Sequence, residues 1–172
     1  MKPSIQLHLA GLSLSNTVSV LEIFGVDRVR STVHNWVHKA DLQPETGRSP
    51  DQVAVDETVI HIDDDEYWLS AAVDPESNEL LHTKREPTRT NALAELFFGE
   101  LREKHDVDDA VVLVDDAPPL QEACRRHGLE FRYERHGNRN SIERVFREVK
   151  RRNDCFSNCF SHLDPETADE WV

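Results

Sequence analysis

Residues 110–114, AVVLV, form an unbroken apolar run in which three of the five side chains are β-branched. A run this short and this apolar suits a strand buried on both faces, and such strands belong to parallel sheet covered by helices on both sides. That requirement sets the fold class, because the chain must then supply helices for two faces of one sheet. Asp115 stands directly at the C-terminal end of the run, where ligand sites of α/β sheets usually lie.

The surrounding sequence supplies the rest of the sheet. Residues 53–62, VAVDETVIHI, alternate as a strand with Asp56 in the middle. Asp63, Asp64 and Asp65 read as a polar hairpin turn, and residues 66–73 as a second strand. After a turn at 74–78, DPESN, a third strand covers about 79–84, completing an antiparallel meander. A helix is expected over 90–104 with Leu93, Leu96, Phe97 and Leu101 inward. Beyond AVVLV come a short helix over 118–127, a weaker strand at 129–133, a loop RHGNRN and a last helix over 141–152. That helix turns Ile142, Val145, Phe146 and Val149 inward and leaves Glu143, Arg147, Lys150 and Arg151 on its other side. The order β-β-β-α-β-α-β-α describes an α/β fold, a mixed sheet flanked by helices.

Upstream lies a smaller region. Residues 15–24 and 27–39 read as two helices around Gly25-Val26, capped by Ser15 and Asp27. Val29, Val33, Trp36 and Val37 form one apolar stripe on the second. Its other face carries Arg28, Arg30, Ser31, Thr32, His34, Asn35, His38 and Lys39, residue types that meet base edges and phosphates in a major groove. A helix-turn-helix and an ordinary helical hairpin with a wet outer face both fit this pattern. A helix-turn-helix has a helix before the pair, and residues 1–10 leave room only for a stub. The expected organisation is a helix-turn-helix region over 1–41 without its first helix, a polar linker over 42–51, and a main domain over 52–172. A length of 172 residues fits one domain of usual size with a small appendage.

Charge narrows the setting. The chain carries a net −13, a field that would repel nucleic acid if it were uniform. Residues 49–119 hold −14, whereas residues 120–153 hold +5. Such an acidic excess keeps proteins hydrated in concentrated salt. No apolar run approaches the ~20 residues that span a bilayer, and three cysteines suit a reducing compartment. A cytoplasmic protein without membrane contact is expected, in a halophile.

Three acids stand apart from the solvated majority. Asp56 is a charge on a central strand, which needs a cation or hydrogen bonds to answer it. Asp115 ends the most apolar strand, and Glu143 is a lone acid on a basic helical face. Three carboxylates without sulfur or imidazole partners suit Mg²⁺ rather than zinc. A pair of such ions serves in-line phosphoryl transfer, with Arg139, Arg147, Lys150 and Arg151 placed to hold a DNA backbone.

Four stretches, VAVDETVIHI, YWLSAAVD, VVLVDDA and RYERHGNRNSIERVFREVKRR, carry a resemblance to IS6-family insertion-sequence transposases, especially their short haloarchaeal branch. It spans nearly the whole chain, and the last stretch is the most specific. The resemblance implies a helix-turn-helix before a ribonuclease-H-like DDE domain. It also implies Asp56, Asp115 and Glu143 as catalytic metal ligands, two Mg²⁺ or Mn²⁺ ions, and a homodimer acting on double-stranded DNA at terminal inverted repeats and target. The implied reaction is strand cleavage and strand transfer.

Departures point the other way. Asp116 follows the second acid directly, Pro118-Pro119 stiffen what comes next, and only 27 residues lie between Asp115 and Glu143. Both ends look clipped against the family pattern, with the helix begun at Pro165 incomplete. A catalytically inactive remnant that only binds DNA is therefore the alternative.

Other polar residues have plainer roles. Cys155, Cys159 and His162 have zinc-like spacing but no fourth ligand, and Phe156 and Phe160 suggest packing. Cys124 reads as buried filler, His61 as a sheet-surface residue, and Glu57 as facing away from Asp56. His136 and Asn140 read as loop or cap residues with phosphate contact as the other option.

Overall fold

The computed structural model describes residues 2–40, 45–62 and 65–155. They form two compact units that divide after Gln43.

The first unit holds three short helices, α1 (Lys2–Leu9), α2 (Leu14–Ile23) and α3 (Arg30–His38). Where a stub was expected, α1 is an eight-residue helix that packs on both α2 and α3. Ile5, Leu21 and Val33 form the small apolar centre. The cap of α2 is Ser13, not Ser15: its hydroxyl accepts the Asn16 N–H at 3.1 Å. Gly25, at φ 73°, supplies the left-handed residue after α2. Asp27 does not cap α3, which starts at Arg30 behind an extended Val29. Being outside the helix, Val29 leaves the stripe expected of it and is exposed. Val33 is fully buried, and Trp36 and Val37 are half-buried.

In the second unit, β1 (Gln52–Ile62), β2 (Asp65–Val73) and β3 (Leu80–Glu86) form the meander. Its first pairing closes at Ile62 opposite Asp65. Then come α4 (Asn91–Lys104), β4 (Val111–Val114), α5 (Pro118–His127), β5 (Phe131–Tyr133), a 3₁₀ turn (Gly137–Arg139) and α6 (Asn140–Cys155). The sheet order is β3-β2-β1-β4-β5, with β4 parallel to β1 and β5 parallel to β4. The apolar run therefore lies inside the sheet, as its composition demands.

Alternation along β1 and β2 divides the sheet into two faces. Val53, Val55 and Ala72 pack with Phe97, Phe98 and Leu101 of α4 and Leu120 and Ala123 of α5. Ala54, Ile60, Leu69, Ala71 and Val73 pack with Ile142 and Phe146 of α6. Thr90 caps α4 by accepting the Leu93 N–H. The buried stripe of α4 is turned by one position from expectation: Ala94, Phe97, Phe98 and Leu101 are inside, and Leu96 is 49% exposed.

Part of the expected linker is tied to this unit. The Gly47 N–H donates to the Lys104 carbonyl at 2.7 Å, and the Asp106 N–H donates to the Arg48 carbonyl at 2.8 Å. The Arg48 guanidinium also pairs with Glu79 at 2.8 Å. Cys159, His162 and the helix expected from Pro165 lie outside the described residues, as does the Cys155 side chain. Cys124 is buried, which pushes its thiol up to about 12. No described helix is long and apolar enough to cross a membrane.

Candidate active site

The parallel register of β1 and β4 pairs Gln52 with Val111 and Ala54 with Leu113. Carried two residues on, the same offset sets Asp56 level with Asp115. Ala54 faces α6, so the period of two turns Asp56 to the α6 face as well. The first turn of α6 contributes Glu143. Three acids far apart in sequence are thereby brought to one end of one face.

What they meet is Arg139. Its Nη2 donates to Asp56 Oδ2 at 2.5 Å and lies 3.6 Å from Asp115 Oδ2, while its Nη1 lies 3.8 Å from Glu143 Oε1. The Arg139 side chain is 9% exposed, against 15% for Asp56, 31% for Asp115 and 48% for Glu143. Arg139 was expected to hold a DNA backbone. The structure buries it among the three carboxylates, as their shared cation. Its buried Nε makes no hydrogen bond, so the guanidinium is only partly satisfied there.

Backbone donors fix two of the acids. Asp56 Oδ1 accepts the Glu57 N–H at 2.8 Å. Asp115 Oδ1 accepts the Ala117 N–H at 2.9 Å, and the Asp115 carbonyl accepts from the Gln121 amide. Burial raises the Asp56 pKa, opposed by the Glu57 N–H and by Arg139 and reinforced by Asp115. Pro118 and Pro119 open α5, where proline costs the helix nothing, and Asp116 is exposed. Glu57, on the opposite face as expected, is buried against Arg89 Nε at 2.6 Å. Burial raises its pKa too, against the pull of Arg89. The Arg89 guanidinium lies 5.1 Å above the Trp68 ring. His61 is exposed.

The donor set suits a hard divalent ion, with carboxylate oxygens and no sulfur or imidazole. As they stand, no group of three or more His, Cys, Asp and Glu side chains among the described residues could hold a metal. The cation position between the acids is taken by Arg139.

The basic residues expected to meet DNA lie in two places. Arg147 and Lys150 are exposed on the α6 stripe that begins at Glu143. Arg151 is exposed but engages Glu148 at 2.5 and 2.9 Å. In the first unit, Arg28, Arg30, His34, Asn35 and Lys39 are exposed and Thr32 is half-buried. Arg28 donates to the Asp27 carbonyl, and His34 and His38 share a hydrogen bond at 2.9 Å. His136 and Asn140 are exposed, and Asn140 opens α6.

Sequence reasoning did not find Arg139 at the centre of the acids, nor the polar cluster on the far face. There, buried His82 accepts from Lys104 at 3.0 Å and donates to Glu100 at 3.1 Å, with Lys84 on the same carboxylate. The available signal for Arg139 was its place four residues before Glu143, one helical turn away.

No protein-family model matches the sequence. The chain is 29% identical over 169 residues to an uncharacterized protein, MJ0017, of Methanocaldococcus jannaschii, covering 96% of this chain and 78% of that one. Among solved structures it is similar to a chain of the simian T-cell lymphotropic virus intasome in complex with the PP2A regulatory subunit B56 gamma. That match has a TM-score of 0.55 and 16% identity over 96% of this chain, which spans 65% of that one. It is also similar to the HTLV-2 integrase catalytic core domain in complex with magnesium, with a TM-score of 0.53 and 16% identity over 71% of this chain and 82% of that one. The mixed five-stranded sheet with its flanking helices is the ribonuclease-H-like fold of integrase catalytic cores.

Proposed function

We propose that the protein is a DDE transposase of the IS6 type, cutting insertion-sequence ends and joining them to target DNA as a homodimer. One observation carries this: Asp56, Asp115 and Glu143, on three separate elements, gather around one guanidinium at one end of a ribonuclease-H-like sheet. The similarity to an integrase core solved with magnesium supports it. Asp56, Asp115 and Glu143 would hold two Mg²⁺ or Mn²⁺ ions, whose chemistry there is activation of water or a 3′-hydroxyl and charge relief at the leaving oxygen.

The remaining roles belong to the chain's own groups. Arg147 and Lys150, one and two turns along α6 from Glu143, hold the DNA backbone beside the acids. In the first unit, α1 precedes an α2–α3 helix-turn-helix that reads the inverted repeats through Arg30, His34 and Asn35 and grips phosphates through Arg28, Thr32 and Lys39. The protein works in the cytoplasm of a halophile.

The occupied cation position also favours a second reading, in which Arg139 fills the site permanently and the protein only binds DNA. Incubation with Mg²⁺ or Mn²⁺ and the DNA flanking its own gene separates the two. Strand transfer that depends on Asp56 supports the transposase. Binding of inverted repeats without cleavage supports the second reading.

A further inference from the structure

We infer that Arg139 is an internal counter-ion that a divalent metal must displace, so that metal-free protein holds its own acid cluster shut. This rests on the reading of Asp56, Asp115 and Glu143 as metal ligands. Three carboxylates lie within 4 Å of one guanidinium, so the cluster keeps an excess of negative charge that attracts a further cation. The attracted ion and Arg139 compete for one place, since two positive charges a few ångströms apart in a half-buried site repel strongly.

The fit of the guanidinium is loose enough for exchange. Only Asp56 is within hydrogen-bond distance, and Nε is buried without a partner. Burial and charge thus hold the side chain in place with few directional bonds. The backbone beneath it is fastened independently. Glu134 accepts the Asn138 N–H at 2.7 Å, the Asn138 amide donates to Gln52 at 2.8 Å, and the Ser141 hydroxyl donates to the Asn138 carbonyl at 2.8 Å. With the turn anchored, rotation of the Arg139 side chain alone opens the cluster. Arg139 thereby sets the metal concentration at which the three carboxylates take up an ion.

The experiment is Mn²⁺ titration by calorimetry of wild type, Arg139→Gln, Asp56→Asn and Arg147→Gln, each with a thermal melt with and without Mn²⁺. Removing the competing charge should tighten Mn²⁺ binding by about tenfold or more, and Mn²⁺ should raise the melting temperature of Arg139→Gln more than that of wild type. Arg147→Gln, also one positive charge fewer but outside the cluster, should stay within about twofold under salt screening. Equal or weaker Mn²⁺ binding by Arg139→Gln overturns the inference while leaving the metal site intact. Unchanged binding by Asp56→Asn overturns the metal-site reading itself. Should Arg139→Gln not fold, the Arg139 Nε–H NMR signal of wild type decides: a shift saturating with Mg²⁺ supports displacement, and no shift at saturating Mg²⁺ overturns it.

Discussion

The two faces of the sheet use the same strands for opposite ends. Toward α4 and α5, β1 presents Val53 and Val55 to a layer containing Phe97, Phe98, Leu101 and Leu120. Toward α6, one residue along, it presents Ala54 and then Asp56. The first face spends its positions on apolar contact. Among the described residues the second has α6 over it and gives the end nearest Arg139 to charge, where burial works against the Asp56 carboxylate. Apolar packing and buried charge are thereby separated by the thickness of one strand, and substitutions on the two faces should fail in different ways.

The largest expected effect is on the apolar face. Phe97→Ala, at a site 1% exposed, should cost about 3–5 kcal/mol of unfolding free energy through lost contact and a cavity. The activity of the molecules that remain folded should be unchanged. Denaturant unfolding beside an assay corrected for folded fraction checks both halves, and a chemical defect in folded Phe97→Ala would break the separation.

Asp56→Asn, Asp115→Asn and Glu143→Gln should do the reverse. Each should lower metal-dependent strand transfer by on the order of 10²- to 10³-fold or more. Asp56→Asn should cost little metal-free stability. A folded-state pKa raised by burial means that the native protein binds that proton more tightly than the unfolded chain. Its contribution to stability therefore falls as pH rises through the carboxylate range. Unfolding curves at neutral pH test this, and a collapse of Asp56→Asn would show the charge to be structural.

His82 sharpens the comparison from the apolar side. Burial, and then Lys104, lower its pKa from 6.5 to about 4 against the pull of Glu100. The unfolded chain accordingly takes up a proton between those values that the fold refuses, and stability should decline as pH falls from about 6.5 to about 4. His82→Gln should flatten that decline by about 3 kcal/mol, read from urea midpoints across the window. A slope unchanged in the variant would assign the acid sensitivity to other groups.

The architecture of the second unit was open to reading because it rests on local signals. AVVLV specified an interior parallel strand, and the first two strands alternated clearly. The expected bounds of α5, Pro118 to His127, are those observed, since proline opens that helix and Gly128 at φ 68° ends it. What was not legible depends on rotation and on distant partners. Leu96 and Phe98 exchanged places because two adjacent arcs of α4 are nearly equally apolar. Arg139 looked like one more basic residue in a basic segment, and the packing of the 3₁₀ turn against β1 and β4 brings it to an acid 83 positions away.

The smallest expected effect concerns the rim of the charged face. Arg147→Gln and Lys150→Gln should each weaken binding to all DNA sequences alike and reduce the salt slope by about 0.9. Arg151, held by Glu148, should count for less. A loss of sequence preference on replacing Lys150 would place base reading on α6 instead of α3.

The central claim, that the charged end of the α6 face is a metal site, is tested most directly by locating Mn²⁺ through its anomalous scattering in a crystal of the wild-type protein. The expected result is Mn²⁺ bound by Asp56 and Asp115, with the Arg139 guanidinium moved off Asp56. Ordered Asp56 and Asp115 carboxylates at saturating Mn²⁺, with no anomalous peak between them and Arg139 still paired to Asp56, would contradict it.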